Sequence, residues 1–357
     1  FSLFSLSRSL VGGVTSMDDF LIKFFPNVYE HKSFHSQDED YCKYNSQVLT
    51  AFTSSLYLSG LTFTYLASYT TQRRGRRFSI LIGGLSFLIG ATLNATAMNL
   101  AMLILGRIML GVGIGFSNQA VPLYLSEMAP PRLRGALNMM FQLTTTLGIL
   151  VANLVNYGTQ HLHPWGWRLS LGLAAFPAAL MTLGGIYLPE TPNSLVERGH
   201  FEEGRATLQK IRGTEMVDAE FEDLIEASTR ANAVKHPFRN IFKHKNRPQL
   251  VMAILLPAFQ QLTGINTILF YAPVIFQSLG FGANAALYSS VVTGAVICGA
   301  TLVSISFVDR LGRKFFFVEG GAQMFVCQIA LSVLLKVYFG GDKVLSSSVA
   351  IAVVTLI

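Results

Sequence analysis

Charge is nearly absent from this chain over successive runs of about 20 residues, the length at which an α-helix crosses ~30 Å of hydrocarbon. Apolar spans are read at about 45–69, 78–98, 101–124, 137–158, 165–188, 249–277, 285–308 and 315–339, with another beginning in 344–357. Residues 1–14 read as the end of one more span. A signal peptide is the alternative there, but no small-residue cleavage site with a soluble chain behind it follows. The expected fold is all-α, a polytopic membrane protein. Composition agrees, since only 13% of the 357 residues are charged and 51% are hydrophobic. An ordinary soluble domain carries about 25% charged residues, so too little polar surface is left to face water. The abundance of Phe, Leu, Ile and Val excludes a disordered chain.

The charges that remain are placed unevenly. Six of the twenty acidic residues fall in 15–44 and ten in 189–248. The others are Glu127, Asp309, Glu319 and Asp342. The net charge of +7 sits largely in short loops, chiefly Arg73, Arg74, Arg76 and Arg77. That is a positive-inside bias and not a nucleic-acid footprint. Loops 70–77, 125–136 and 309–314 then share the cytoplasmic side, and 15–44 faces outward. Three cysteines, Cys42, Cys298 and Cys327, are too few for a disulfide scaffold.

Segment 189–248, with ten acids and ten bases, reads as short amphipathic helices carrying i,i+4 charge pairs, a cytoplasmic insertion. Around it the chain repeats itself. Arg74-Gly75-Arg76-Arg77-Phe78 through Gly83-Gly84 resembles Leu311-Gly312-Arg313-Lys314-Phe315 through Gly320-Gly321, offset by 237 residues. Each copy follows one span and opens the next. Like-oriented copies imply two bundles related by an axis along the membrane normal, an architecture used by transporters. The expected organisation is a first bundle over 1–188, the insertion over 189–248 and an incomplete second bundle over 249–357.

Polar groups inside spans are costly and each needs a reason. Gln142, Thr145, Thr146, Asn153 and Asn156 fall on roughly one helical face, and Gln260, Gln261, Thr263 and Asn266 gather near mid-span. Pro257, Gly264 and Pro273 weaken the helix beside the second group. Amides both donate and accept, which suits a neutral polyol better than an ion; the alternative is that they bridge neighbouring helices. Gly111 and Gly115 form a GxxxG, a close-packing signal. Arg107 lies inside the same span, where a cation wants a carboxylate, and none lies within the other spans of the first half. A backbone carbonyl, water or snorkelling are its other outlets. The charges of 73–77, 127–134 and 309–314 read as topology signals or as ion pairs between bundles that hold a cytoplasmic gate closed. The seven histidines avoid mid-span, and GxSxG, HExxH and P-loop patterns are absent from the sequence. No enzyme, cofactor or metal is therefore expected.

Taken together, Gly12-Gly13-Val14-Thr15-Ser16-Met17, Gly75-Arg76-Arg77, Pro122-Leu123-Tyr124-Leu125-Ser126-Glu127, Pro189-Glu190-Thr191-Pro192-Asn193-Ser194, Gln260-Gln261-Leu262-Thr263-Gly264-Ile265-Asn266 and Asp309-Arg310-Leu311-Gly312-Arg313-Lys314 resemble the sugar-porter branch of the major facilitator superfamily. The likeness is greatest to plant monosaccharide/proton symporters and covers about 11–340. The resemblance implies twelve helices, alternating access, and hexose uptake coupled to protons in a membrane, most simply the plasma membrane. It implies that Gln142, Gln260, Gln261 and Asn266 hydrogen-bond the sugar. It places Arg76, Glu127, Arg134, Glu190, Asp309 and Arg313 in an inner gate and Cys42 in an extracellular lid tied to the C-terminal half.

Two positions depart from that family. Where it carries a proton-accepting aspartate paired with the arginine matching Arg107, this chain has Ser7, which does not titrate near neutral pH. Where it has a sugar-binding asparagine, Ile297 stands; the lost pair of hydrogen-bonding groups costs about 1–3 kcal/mol if a buried partner is left alone. The last helices of the family pattern are expected to be missing from this chain. The sequence thus supports a monosaccharide transporter, with an uncoupled uniporter, or a non-transporting paralogue that senses sugar or joins other transporter subunits, as the alternatives.

Overall fold

The structure, a computed structural model, describes residues 2–15, 17–29, 47–130, 134–233, 240–244, 246–264 and 283–338. Every regular element among them is a helix. The first bundle is built from α1 (Ser2–Val14), α3 (Gln47–Arg74), α4 (Arg76–Ala95), α5 (Leu100–Met128), α6 (Arg134–Thr159) and the broken pair α7 (Gly166–Leu173) and α8 (Ala175–Tyr187). A short α2 (Asp18–Phe24) follows α1. The helices α9 (Pro192–Glu197), α10 (Phe201–Arg212) and α11 (Asp218–Asn232) fill the region expected as an insertion. Beyond them stand α12 (Arg247–Leu262), α13 (Ala283–Leu311) and α14 (Arg313–Tyr338).

Among the described residues, Arg76–Ala95, Leu100–Met128, Gly166–Tyr187 and Lys314–Val333 are long and apolar enough to cross a membrane. With 28 residues α3 has the length, but ten of them are serine or threonine. Such a helix is stable in hydrocarbon only with its hydroxyls bonded. Several bond back to the preceding turn, as Thr62 does to the Leu58 carbonyl and Thr64 to the Gly60 carbonyl. Helix ends follow local chemistry. Asn99 caps α5 by accepting from the Met102 amide at 2.9 Å. At the other end Ala129 is extended, as a residue preceding a proline must be, and α5 stops there. The span expected at 249–277 is helical to Leu262 and turns at Gly264, whose φ is +73°; residues 265–282 lie outside the described residues.

Close helix packing positions everything else. Gly111 and Gly115 bring α5 against α3: a Cβ on Gly111 would lie 2.7 Å from the Leu56 carbonyl oxygen, and one on Gly115 2.7 Å from the Thr64 amide. Ser59 uses that proximity to donate to the Ile108 carbonyl at 2.8 Å. The GxxxG thus packs helices, as its spacing predicts. Toward the α2 end of the bundle, Phe20, Phe52, Val14, Leu103 and Trp167 bury together, the Phe20 and Trp167 rings meeting edge to face at 5.8 Å. This seats α2 on the bundle. Across the two halves, α13 packs along α6, with Gly294 against Leu150 and Asn153.

Candidate functional site

The densest polar arrangement lies where α3, α4 and α5 meet α9. Gly75, between α3 and α4, has φ +95°, a left-handed conformation that costs a side-chain-bearing residue. A Cβ there would also collide with the Glu190 carboxylate. Without it, Glu190 reaches the start of α4 and accepts from the Arg76 amide at 2.9 Å and the Arg77 amide at 3.4 Å. The same oxygen accepts from the Thr191 amide at 3.1 Å. A carboxylate is therefore held at the positive ends of two helices.

Arg76 is 4% exposed and turns inward. Its Nη2 donates to Glu127 Oε1 at 2.8 Å, and its Nη1 lies 2.8 Å from Glu197 Oε2 as an ion pair without good hydrogen-bond angles. Glu127 is satisfied further by the Thr191 hydroxyl at 2.6 Å and the Asn193 amide at 2.9 Å. Thr191 is also the N-cap of α9, accepting from the Ser194 amide. Tyr124 donates to the Pro189 carbonyl at 3.0 Å, and Arg212 reaches the Met128 carbonyl at 3.3 Å. Arg212 is held as a cation beyond its ordinary range by its hydrogen bonds to Glu220. The insertion is thus clamped onto one end of the first bundle.

Of the residues expected at this gate, Arg76, Glu127 and Glu190 are brought together. The side chains of Arg134, Asp309 and Arg313 lie outside the described residues, as do Cys42 and Asn266. Sequence reasoning missed Glu197, Arg198, Thr191 and Asn193. The signal available was the Pro189–Ser194 motif, only two residues past the end of α8 and so with no slack to leave the bundle.

The amide-bearing spans resolve into two roles. Asn156 is 1% exposed. Its Nδ2 donates to the Ser9 carbonyl of α1 at 3.0 Å and its Oδ1 accepts from Ser170 of α7 at 2.6 Å, so it bridges three helices. Thr145 and Thr146 are buried and bond the Phe141 and Leu143 carbonyls. The polar residues of α6 share one face, but Asn156, Thr145 and Thr146 are buried and bond within the bundle, Asn156 as a helix bridge, while Gln142 is exposed. Gln260 and Gln261 are exposed on the last turn of α12. Arg107 is 2% exposed and stacks on Phe52, guanidinium carbon 4.3 Å from the ring centroid. Its Nε makes no hydrogen bond, and among the described residues no carboxylate pairs with it. Ser7 is also buried, at 3%.

A family model described as "Sugar (and other) transporter" matches residues 3–357. The chain belongs to the sugar transporter family. Sugar carrier protein A of Ricinus communis is 64% identical over 356 residues, covering 100% of this chain and 68% of that protein. Sugar transport protein 7 of Arabidopsis thaliana is 63% identical, covering 100% of this chain and 69% of that protein. The sugar transporter chain thus spans about two thirds of the length of these relatives. The xylose transporter XylE from E. coli, in a partially occluded inward-open conformation, superposes with a TM-score of 0.72 at 23% identity, covering 100% of this chain and 83% of that one. XylE bound to 6-bromo-6-deoxy-D-glucose gives 0.77 at 23% identity, covering 99% and 78%. These likenesses show the major facilitator fold.

Proposed function

We propose that this chain carries monosaccharides across the plasma membrane by alternating access. In this reading the first bundle (1–188) and the second (from 249) rock about the helical insertion 189–248. The observation that carries it is the family match along 3–357, supported by plant relatives named as sugar carriers. Gln142, Gln260, Gln261 and Asn266 hydrogen-bond the sugar, their exposure (described for the first three) suiting groups that take a solute from water. Arg76, Glu127 and Glu190, with Arg134, Asp309 and Arg313, form the cytoplasmic gate, and Cys42 belongs to an outer lid.

A second reading concerns energy coupling. XylE is described as a proton:xylose symporter, but here Arg107 rests on an aromatic ring and Ser7 is buried. This setting favours proton-independent uniport, because neither a serine nor a ring can carry a proton across. The test is a chimera in which residues 1–357 replace the matching part of Sugar transport protein 7, expressed in yeast lacking its own hexose carriers. Saturable uptake of labelled hexose, undiminished by an uncoupler, is expected. No uptake despite correct surface delivery would overturn the transport reading, and uncoupler-sensitive uptake would overturn uniport.

A further inference from the structure

A cavity of about 430 Å³ opens beside the clamp, where the end of α3 and the first turns of α4 meet α9 and α10. Arg74, Arg77, Arg198 and His200 line its polar part, and Phe78 and Leu81 its apolar part. Arg76 opens a span long enough to cross the membrane, so Phe78 and Leu81, within its first two turns, lie where headgroups give way to hydrocarbon. The cavity therefore straddles the bilayer interface.

Its charges are poorly compensated. Arg77 spends its guanidinium on neutral partners, the Gly185 and Ile186 carbonyls. Arg74 stacks on Phe78 at 5.0 Å, and among the described residues no carboxylate pairs with it. Arg198 bonds the Ser194 and Arg74 carbonyls and meets Glu190 only at 3.6 Å. Glu190 commits its Oε1 to three backbone amides, which leaves only Oε2 facing Arg198. The other acid in the wall is Glu203. Three guanidiniums around two carboxylates, of which Glu190 is only loosely paired with Arg198, leave the cleft net positive and make a phosphate-shaped demand, since guanidinium forks bind phosphate oxygens strongly. Basic pockets at the ends of membrane helices meet such phosphates on lipid headgroups.

We propose that this cleft binds the phosphate of an anionic phospholipid, with Arg74, Arg77 and Arg198 on the phosphate and an acyl chain along Phe78 and Leu81. The bound lipid would brace α9 against α4 and so couple lipid composition to the clamp.

The test uses the purified full chain in phosphatidylcholine vesicles. Spin-labelled phosphatidylserine and spin-labelled phosphatidylcholine, labelled at the same acyl carbon, are compared for motional restriction. Preferential binding of phosphatidylserine is expected, with a loss of about fivefold in Arg74→Gln and in Arg198→Gln. Arg74→Lys, checked for an unchanged melting temperature, should retain most of the preference. Arg73→Gln should leave it unchanged, because Arg73 stacks on Tyr69 outside the cleft. Equal loss in Arg73→Gln would mean diffuse surface attraction and overturn the proposal, as would no preference in the unmutated chain. Displacement of the labelled lipid by inorganic phosphate would assign the cleft to a soluble phosphate and overturn the lipid reading.

Discussion

Glu127→Gln isolates the most buried charge pair of the clamp. The side chains of Arg76 and Glu127 are 5% and 9% exposed, so neither charge is screened well by water. Removing one partner of a buried pair costs about 3–5 kcal/mol when the other charge is stranded. Arg76 is not stranded, because Glu197 lies 2.8 Å from its Nη1. Turned one way, the glutamine oxygen keeps the bonds from Arg76 and Asn193 while its amide group faces the Thr191 hydroxyl; turned the other way, it keeps Thr191 and its amide group faces the donors Arg76 and Asn193. The net loss is therefore about 2 kcal/mol, the worth of one charge-assisted hydrogen bond, or roughly 30-fold in the undocking equilibrium of α9. Hydrogen exchange followed by mass spectrometry on the chain in lipid nanodiscs reads this directly. Protection across 189–205 should fall by that factor while α6 is unaffected. The companion Glu197→Gln removes a carboxylate that is 35% exposed and should cost only about 0.5 kcal/mol. If the two substitutions rank in the opposite order, or if 189–205 exchanges unchanged in Glu127→Gln, the assignment of the clamp's strength to the buried pair is wrong.

Four further outcomes follow from the packing. Gly111→Ala should destabilise the bundle by about 1–3 kcal/mol through overpacking, whereas Gly184→Ala, where a Cβ would meet nothing within 4 Å, should leave the melting temperature in detergent unchanged; equal effects would refute the close approach of α5 to α3. Asn156→Leu strands the Ser170 hydroxyl and should cost about 1–3 kcal/mol, visible as a melting temperature lower by several degrees. In the chimera, Ser7→Asp should make hexose uptake pH-dependent and uncoupler-sensitive; unaltered pH dependence would remove position 7 from any coupling role. Gln261→Ala should raise the half-saturation constant several-fold, consistent with about 1 kcal/mol for one amide contact, and an unchanged value would return Gln261 to helix bridging.

The helices were legible because an uncharged run of about 20 residues has few other ways to exist. The clamp was half legible for a specific reason. Arg76 and Glu127 stand at the ends of apolar spans, where a charge is conspicuous. Glu197 and Arg198 sit in an amphipathic stretch and resemble ordinary solvated neighbours, so nothing local told them apart from the exposed pair Arg230 and Glu226. What recruits them is tertiary: the short link from Tyr187 to Pro192 and the side-chain-free Gly75 that admits Glu190. Gln142 and Asn156 show another boundary. Fourteen residues apart, they share a helical face but differ in height by about 21 Å. Periodicity reports the face and is silent on height, yet height decides whether a neighbour is water or the Ser9 carbonyl.

Arg107 carries that argument furthest. A cation inside a span demanded an acid, a carbonyl or water, and the structure supplies the face of Phe52, a residue that any hydropathy reading counts as merely apolar. A ring quadrupole can favour a buried cation by about 2 kcal/mol, enough to help retain it but without a titratable proton to exchange. An acid in that place would stabilise the cation more when ionised and less when protonated, and so would make the pairing depend on pH. A ring stabilises it equally at every pH. On the proposed reading, proton coupling turns on what Arg107 faces, and the Ser7→Asp substitution asks whether returning one ionisable group to the buried surface of α1 is enough to restore the dependence.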